Sequence, residues 1–196
     1  MTDAALHLSA EALTAGLERI RRSPKDVGTV KMIVRRPATD EREMVSVGEL
    51  DVAEGLVGDN WRRRGSSRTS DGSAHPDMQL NIMNSRVIDL VATSKDRWPL
   101  AGDQIFIDLD LSKNNLPAGT RLELGTAIIE VTEIPHTGCK KFVARFGLEA
   151  MKFVNSGLGK KQCLRGINAR VVTVSYTHLR AHETSDDISY AVFCLK

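Results

Sequence analysis

Hydrophobic and polar residues alternate in short runs along most of the chain, a pattern that predicts β-strands. The clearest run is 104–111, where Ile105, Ile107, Leu109 and Leu111 would share one face of a strand. Further strands are predicted at 29–36, 43–51, 78–83 and 167–174, and two more around Gly125 within 116–134.

Three segments have helical spacing instead. Residues 9–22 place Leu13, Leu17 and Ile20 on one stripe, with Ser9 as the N-cap. Two shorter helices are predicted at 84–96 and 147–157, and a polar loop rich in Gly, Ser and Arg at 55–77. Many short strands with few helices predict a mainly β fold, a β-barrel with a few peripheral α-helices.

The length and the net charge of the chain limit the number of domains and the kinds of partner to expect. The 196 residues are enough for one domain with a substantial core. The 27 basic and 25 acidic residues leave a net charge of +2, which gives no reason to expect nucleic acid as a partner. The one basic cluster beside an aromatic residue, Trp61 to Arg64, is too small a footprint to change that expectation.

Membrane spanning and secretion are also disfavoured. No apolar run approaches the roughly 20 residues that cross a bilayer, and the N-terminus lacks the pattern of a secretory signal. The three cysteines are scattered and form no CxxC pair, so neither a disulfide framework nor a structural zinc site is expected. We therefore expect a cytoplasmic protein without a membrane partner.

The segment EVTEIPHTGCKKF (130–142) raises the question of what Cys139 does. The cationic pair Lys140 and Lys141 follows it, and a neighbouring positive charge favours the thiolate, which is both a nucleophile and a soft metal ligand. A loop position after a strand gives access. The alternative is a small buried structural cysteine, and the residues alone leave both open.

Four segments between Gly102 and Val172 together resemble the MOSC family, the domain found at the C-terminus of molybdenum-cofactor sulfurases. They are GDQIFIDLDL (102–111), LPAGTRLELGTAIIEVTEIPHTGCKKF (116–142), ARFG (144–147) and LRGINARVV (164–172). GLVGD (55–59) and His75 are similar, more loosely, to an earlier region of the family. Cys163, in the cationic context KKQCLRG, is not selected by the resemblance and is interpreted as structural.

The resemblance implies a MOSC-like β-barrel domain over residues 28–173, preceded by an N-terminal helical extension over 1–27. Residues 174–196 do not continue the family pattern and are similar to a translated sequencing-adapter read-through. We therefore predict a non-native tail, in which the last strand of the barrel is missing or substituted. On that interpretation no functional role attaches to His178, His182 and Cys194.

The resemblance further implies that the protein binds molybdenum cofactor (molybdopterin), with Cys139 as the metal ligand and catalytic group. The candidate cofactor-binding residues are Asp103, Gln104, His136, Lys140, Arg145, Arg165, Asn168 and Arg170. Arginine suits this role because its planar fork matches phosphate oxygens. The implied reaction is reductive N–O cleavage in a small-molecule substrate, an N-hydroxylated base or amidoxime, with electrons from an electron-transfer protein.

Two other functions remain open at this point. In one, Cys139 is a sulfur carrier that holds a persulfide received from a pyridoxal-phosphate-dependent cysteine desulfurase, for cofactor or metal–sulfur cluster assembly. In the other, the barrel binds a cofactor or a protein without turnover. Bound metal separates the first function from the sulfur carrier, and a sulfur adduct on the thiol identifies the carrier.

Overall fold

A computed structural model describes residues 7–174, 179–180 and 191–195. The strands are β1 (Val27–Arg35), β2 (Glu43–Val45), β3 (Val47–Gly48), β4 (Leu50–Asp51), β5 (Gly55–Leu56), β6 (Leu80–Asn84), β7 (Ile105–Asp108), β8 (Arg121–Leu124), β9 (Ala127–Val131), β10 (Ile167–Val174), β11 (Leu179–Arg180) and β12 (Ala191–Leu195). The helices are α1 (Ala10–Ala15), α2 (Leu17–Arg21), α3 (Trp61–Arg64), α4 (Ser85–Ala92), α5 (Lys140–Phe146), α6 (Leu148–Asn155) and α7 (Gly157–Lys161). Two 3-10 segments lie at Pro76–Met78 and Lys95–Ala101.

Seven strands close into a barrel in the order β12-β8-β9-β10-β6-β7-β1, and β1 returns to β12. Neighbouring strands are antiparallel except for the parallel pair β6 and β7. The predicted fold class, a mainly β fold built on a β-barrel with a few peripheral helices, is confirmed.

The strand that closes the barrel comes from the segment predicted to be a non-native tail. β12 pairs with β1 through Val27↔Phe193 and with β8 through Val192↔Leu124. The closing strand is thus present, supplied by residues 191–195. That this tail is non-native stays a prediction. His178 and His182, to which no functional role was assigned, lie outside the described residues.

Two hydrophobic clusters account for the core. One fills the barrel with inward-facing residues from all seven strands, and it includes Ile105, Ile107, Leu109 and Leu111, the four predicted to share a face. The other lies outside the barrel, where the opposite faces of β1, β6 and β7 pack against the helices. Leu13, Leu17 and Ile20 belong to this second cluster, so the N-terminal extension packs on the barrel wall.

Three local predictions need correction. The strand predicted at 43–51 is three short strands, because β2, β3 and β4 pair with three different partners. The helix predicted at 9–22 begins after the Ser9 N-cap as expected and is divided at Gly16, where an added Cβ would lie 2.5 Å from Leu90 Cδ2. Helices α5 and α7 and the 3-10 segment Lys95–Ala101 were not predicted, and the segment predicted as a loop at 55–77 contains β5, α3 and the other 3-10 segment.

Among the described residues, no helix combines the length and the apolar character needed to cross a membrane.

Candidate functional site: a cationic pocket beside Cys139

A buried ion pair organises one rim of the barrel. Arg36 follows β1 and is bidentate to Asp59 of the GLVGD segment, with Nε to Oδ2 and Nη2 to Oδ1 both at 2.8 Å. The third nitrogen, Nη1, donates to Asn81 Oδ1 on β6 and to the carbonyl of Gly102 just before β7. Both charged side chains are 5% exposed or less. This network ties the 55–59 loop to three strands of the barrel.

A second buried pair lies beside it. Asp103 is wholly buried and accepts from Arg165 Nη1 at 2.7 Å, while the Arg165 guanidinium lies 5.0 Å from the centre of the Phe142 ring. Burial raises the pKa of Asp103, and the adjacent Arg165 charge opposes that shift. The other carboxylate oxygen, Oδ1, lies 3.4 Å from His136 Nδ1, and neither atom has a hydrogen-bond partner within the described part of the chain.

The surroundings of His136 favour its neutral form. Burial, together with the positive charges of Arg165 and Arg36, lowers the pKa of His136 well below its usual value. The contact with Asp103 is an ion pair only when the imidazole is protonated. A neutral imidazole beside a buried carboxylate is able to hold a proton in transit, because either ring nitrogen can carry the hydrogen.

A pocket of about 270 Å³ opens above these pairs, and we call it the cationic pocket. Its polar and charged lining is Arg36, Thr39, Asp40, Arg42, Asn60, Arg64, Asn81, His136, Cys139, Lys141 and Arg145. Five of these side chains are basic and one is acidic. The buried Asn60 Oδ1 has no hydrogen-bond partner among the described residues.

Cys139 is exposed and borders the cationic pocket. It is the N-cap residue of α5, and its carbonyl accepts from Val143 N at 3.1 Å. The preceding residue, Gly138, is held by Asn155 of α6, which accepts from the Gly138 amide and donates to its carbonyl. The thiol is thus presented by a loop that is anchored on both sides.

The basic side chains are crowded together. Burial, then the charges of Arg145 and Arg36, lower the pKa of Arg42, whose described hydrogen bonds go only to backbone carbonyls. Burial and Arg36 lower the pKa of Arg64 in the same way. Neither has a carboxylate within ion-pair distance among the described residues. A local excess of cations over carboxylates favours binding of an anion.

One carboxylate already lies among them. Asp40 accepts from Lys141 Nζ at 2.8 Å and from Arg145 Nη2 at 2.9 Å, and these contacts lower the pKa of Asp40, chiefly through the hydrogen bond to Lys141. Asp40 has a φ of 63°, in the left-handed region. The carboxylate is held over the pocket by the basic side chains of α5.

The predicted site residues separate into three groups. Cys139, His136 and Arg145 line the cationic pocket. Arg165, Asn168, Asp103 and Gln104 are buried beneath it, where Gln104 bonds to the Asn81 amide and to the Gln79 carbonyl, and Asn168 bonds to Asn81. Lys140 is exposed and Arg170 pairs with Glu130 and Asp77, and neither lines this pocket.

Sequence reasoning missed three of the basic residues around the pocket. Arg36, Arg42 and Arg64 come from the end of β1, the following loop and α3, so no sequence window shows them together. Arg64 was noticed only as part of a possible nucleic-acid contact. The signal that identifies Arg36 is its partner, Asp59, in a segment that resembled the family only loosely.

Replacing Arg64 with glutamine is expected to weaken binding of inorganic pyrophosphate to the cationic pocket about fivefold, because a charge-assisted contact at a partly exposed position is lost. Titration calorimetry measures the affinity. Arg62→Gln is the matched control, since Arg62 lies in the same helix and faces Glu54 at 3.5 Å instead of lining the pocket. Equal weakening by both variants would show that only the overall charge matters.

Within the described residues, no group of three or more His, Cys, Asp or Glu side chains is arranged to hold a metal ion. Cys139 is therefore a single thiol in a basic environment in this part of the chain. Such an arrangement suits ligation of a metal that arrives with a larger anionic group, or a covalent sulfur adduct.

Comparisons with known proteins support the fold. No protein-family model and no curated protein matches the chain in sequence. A crystal structure described as that of a hypothetical protein is similar over 88% of this chain and 69% of its own, at 16% identity and a TM-score of 0.56. The YUAD protein from Bacillus subtilis is similar over 85% of this chain and 94% of its own, at 14% identity and a TM-score of 0.57. The chain therefore shares a barrel fold with these proteins.

Proposed function

We propose that the protein binds molybdenum cofactor in the cationic pocket, with Cys139 as the protein ligand of molybdenum. One observation carries the proposal: an exposed thiol shares the wall of one pocket with five basic side chains and a single carboxylate. A thiolate is a soft metal ligand, and guanidinium groups are strong phosphate ligands. Molybdenum cofactor combines a metal centre with a pterin phosphate, so the thiol and the basic side chains would each contact one part of it.

The residues present suit the group. Arg42 and Arg64 lack carboxylate partners among the described residues and are available to a phosphate. The Oδ1 of Asn60, which has no hydrogen-bond partner among the described residues, would be available to accept from an N–H group of the pterin. Arg36 contributes charge, while its own hydrogen bonds are made to Asp59 and to the barrel.

The proposed reaction is the reductive cleavage of an N–O bond in an N-hydroxylated base or amidoxime. It consumes two electrons and two protons and releases the amine or amidine and water. The bound cofactor supplies the two-electron chemistry, and an electron-transfer protein supplies the electrons. His136 lies in the wall of the same pocket as Cys139 and, next to Asp103, is the group positioned to pass on a proton.

The experiment that tests the proposal is metal and pterin analysis of the protein purified from a host that makes molybdenum cofactor. We expect near-stoichiometric molybdenum, together with a pterin that is released on denaturation. A different result would favour the sulfur carrier over the reductase. In that result the protein holds no molybdenum, and Cys139 has gained the mass of one sulfur atom that a reductant removes. If the protein holds neither molybdenum nor added sulfur, the remaining function is that of a barrel that binds a cofactor or a protein without turnover.

A further inference from the structure

A pocket of about 420 Å³ lies on the outside of the barrel, where the N-terminal extension meets the barrel wall, and we call it the seam pocket. Its walls come from α2, β1, the start of α4, the 3-10 segment 95–101 and the end of β7. Four basic and two acidic side chains line it. None of its lining residues lines the cationic pocket, so the two pockets are separate.

Arginines already neutralise both carboxylates of the seam pocket. Arg86 is bidentate to Asp108 at 2.7 and 3.0 Å. Arg19 Nη1 donates to Asp89 at 2.7 Å, and the Arg19 carbonyl accepts from Arg86 Nη1 at 3.1 Å, which ties α2 to α4. The remaining two basic side chains are lysines, and they give the pocket an excess of positive charge.

A β-bulge places one of these lysines in the pocket. Strand β1 pairs with β7 through Val30↔Ile107, and the next pair is Met32↔Phe106. Lys31, between them, is an extra residue without a counterpart on β7. Val30 packs inside the barrel and Met32 outside it, so the bulge allows Lys31 and Met32 to lie on the same outer side. Bulges often re-aim a side chain next to a functional site.

The two lysines have no counter-charges of their own. Lys31 is half-buried and Lys95 is exposed, and neither has a carboxylate within ion-pair distance in the described parts of the chain. Two cations that line one pocket without carboxylate partners favour a ligand that carries two negative charges.

Two buried polar groups of the seam pocket also lack partners. Ser85, the first residue of α4, is 5% exposed, and its hydroxyl makes no hydrogen bond to another described residue. Trp98 is 6% exposed, and its indole Nε1 is buried without an acceptor within the same residues. Such groups require an external partner, and the excess of positive charge favours an anion. The positive end of the α4 dipole, at Ser85, favours the same sign of ligand.

We propose that the seam pocket binds a phosphate dianion, either inorganic phosphate or the phosphate group of a small molecule. Lys31 and Lys95 supply the charge, and the hydroxyl of Ser85 donates a hydrogen bond. Arg19 brings α2 to the same pocket, so a bound phosphate fastens the N-terminal extension to the barrel wall. This site is independent of the proposed molybdenum cofactor, because it shares no lining residue with the cationic pocket.

The test follows the indole N–H signals of the full-length chain in proton–nitrogen correlation spectra while inorganic phosphate is added against a constant background of sodium chloride. The chain has two tryptophans, and of these Trp98 lines the seam pocket. A Trp61→Phe variant assigns the two signals. We expect the Trp98 signal to shift with a dissociation constant of about 1 mM or lower, and phosphate to raise the melting temperature.

Lys31→Gln and Ser85→Ala are each expected to weaken this binding about fivefold or more, because each removes one donor to the phosphate. Ser85→Ala should leave the free protein as stable as before, since the hydroxyl has no partner to lose. Lys25→Gln is the matched control, because it removes the same charge from an exposed lysine that does not line the pocket. A Trp98 signal that phosphate does not move, or equal weakening by Lys25→Gln, would overturn the inference.

Arg64→Gln separates the two pockets, because Arg64 lines only the cationic one. The shift of the Trp98 signal should be unchanged in this variant. If the shift is lost, the phosphate is held in the cationic pocket and the inference is wrong.

Phenyl phosphate distinguishes the two sources of the dianion. Tighter binding of phenyl phosphate than of inorganic phosphate identifies the phosphate group of a small molecule as the ligand, whereas equal or weaker binding identifies inorganic phosphate. Binding that depends on Lys31 and Ser85 in a protein that retains no molybdenum would keep the seam pocket and remove the cofactor.

Discussion

Replacing Cys139 with serine is expected to remove at least about nine-tenths of the molybdenum that the protein retains, because a hydroxyl is a hard and weak ligand where a soft thiolate is needed. The measurement is the molar ratio of molybdenum to protein after purification from a host that makes the cofactor. Pyrophosphate affinity of the cationic pocket should change little, since the basic side chains stay in place.

The variant should remain folded. Cys139 is exposed, its side chain makes no capping hydrogen bond, and serine is a better N-cap residue for α5 than cysteine. Cys194→Ser in β12 is the matched control, because it makes the same substitution at a thiol that packs on the barrel core and does not line the cationic pocket. Loss of molybdenum in Cys163→Ser, with retention in Cys139→Ser, would show that the other thiol is the ligand.

Replacing Asp59 with alanine should lower the free energy of unfolding by about 3–5 kcal/mol, because it leaves the buried Arg36 guanidinium without its counter-charge. Asp59 also accepts from the backbone amides of Arg36 and Trp61, so its loss releases the loop that leads into α3. Urea denaturation followed by circular dichroism measures the change, with the denaturant slope checked for two-state behaviour.

Asp108→Ala provides a matched comparison. Asp108 is bidentate to Arg86 at 2.7 and 3.0 Å, much as Asp59 is to Arg36, but both side chains of this pair are 23% exposed. Solvent screens this pair, so we expect a loss of about 1 kcal/mol. If Asp59→Ala lowers the free energy of unfolding by no more than Asp108→Ala does, burial does not increase the contribution of the Arg36–Asp59 pair to stability.

The strands could be predicted because one face of each lies in the barrel. The prediction at 167–174 coincides with β10, and the two strands predicted around Gly125 are β8 and β9, with Gly125 at a φ of 62° in the turn. Because successive side chains point to opposite faces of a strand, burial of one face places hydrophobic residues at every second position. The segment 43–51 alternates as well, yet its pairing partners change along its length, which alternation does not encode.

The candidate site was only partly predictable. Cys139 and Arg145 were identified from a resemblance confined to one contiguous region, and both border the cationic pocket. Arg42 and Arg64 come from distant segments, and a net charge of +2 over the whole chain hides a local excess of positive charge. The cofactor-binding role of Asp103 and Gln104 stays a prediction, and their burial under the pocket depends on how β7 begins beside Arg36 and Asn81.

Asp40 makes binding at the cationic pocket an exchange of one anion for another. Its carboxylate neutralises part of the charge of Lys141 and Arg145 in the free protein, and an incoming phosphate must compete for the same two donors. A weakly coordinating anion such as chloride gains little from that competition, while a multivalent one gains the unpaired guanidinium groups as well. If the pocket binds anions as proposed, Asp40 would make it favour multivalent ligands over monovalent ones.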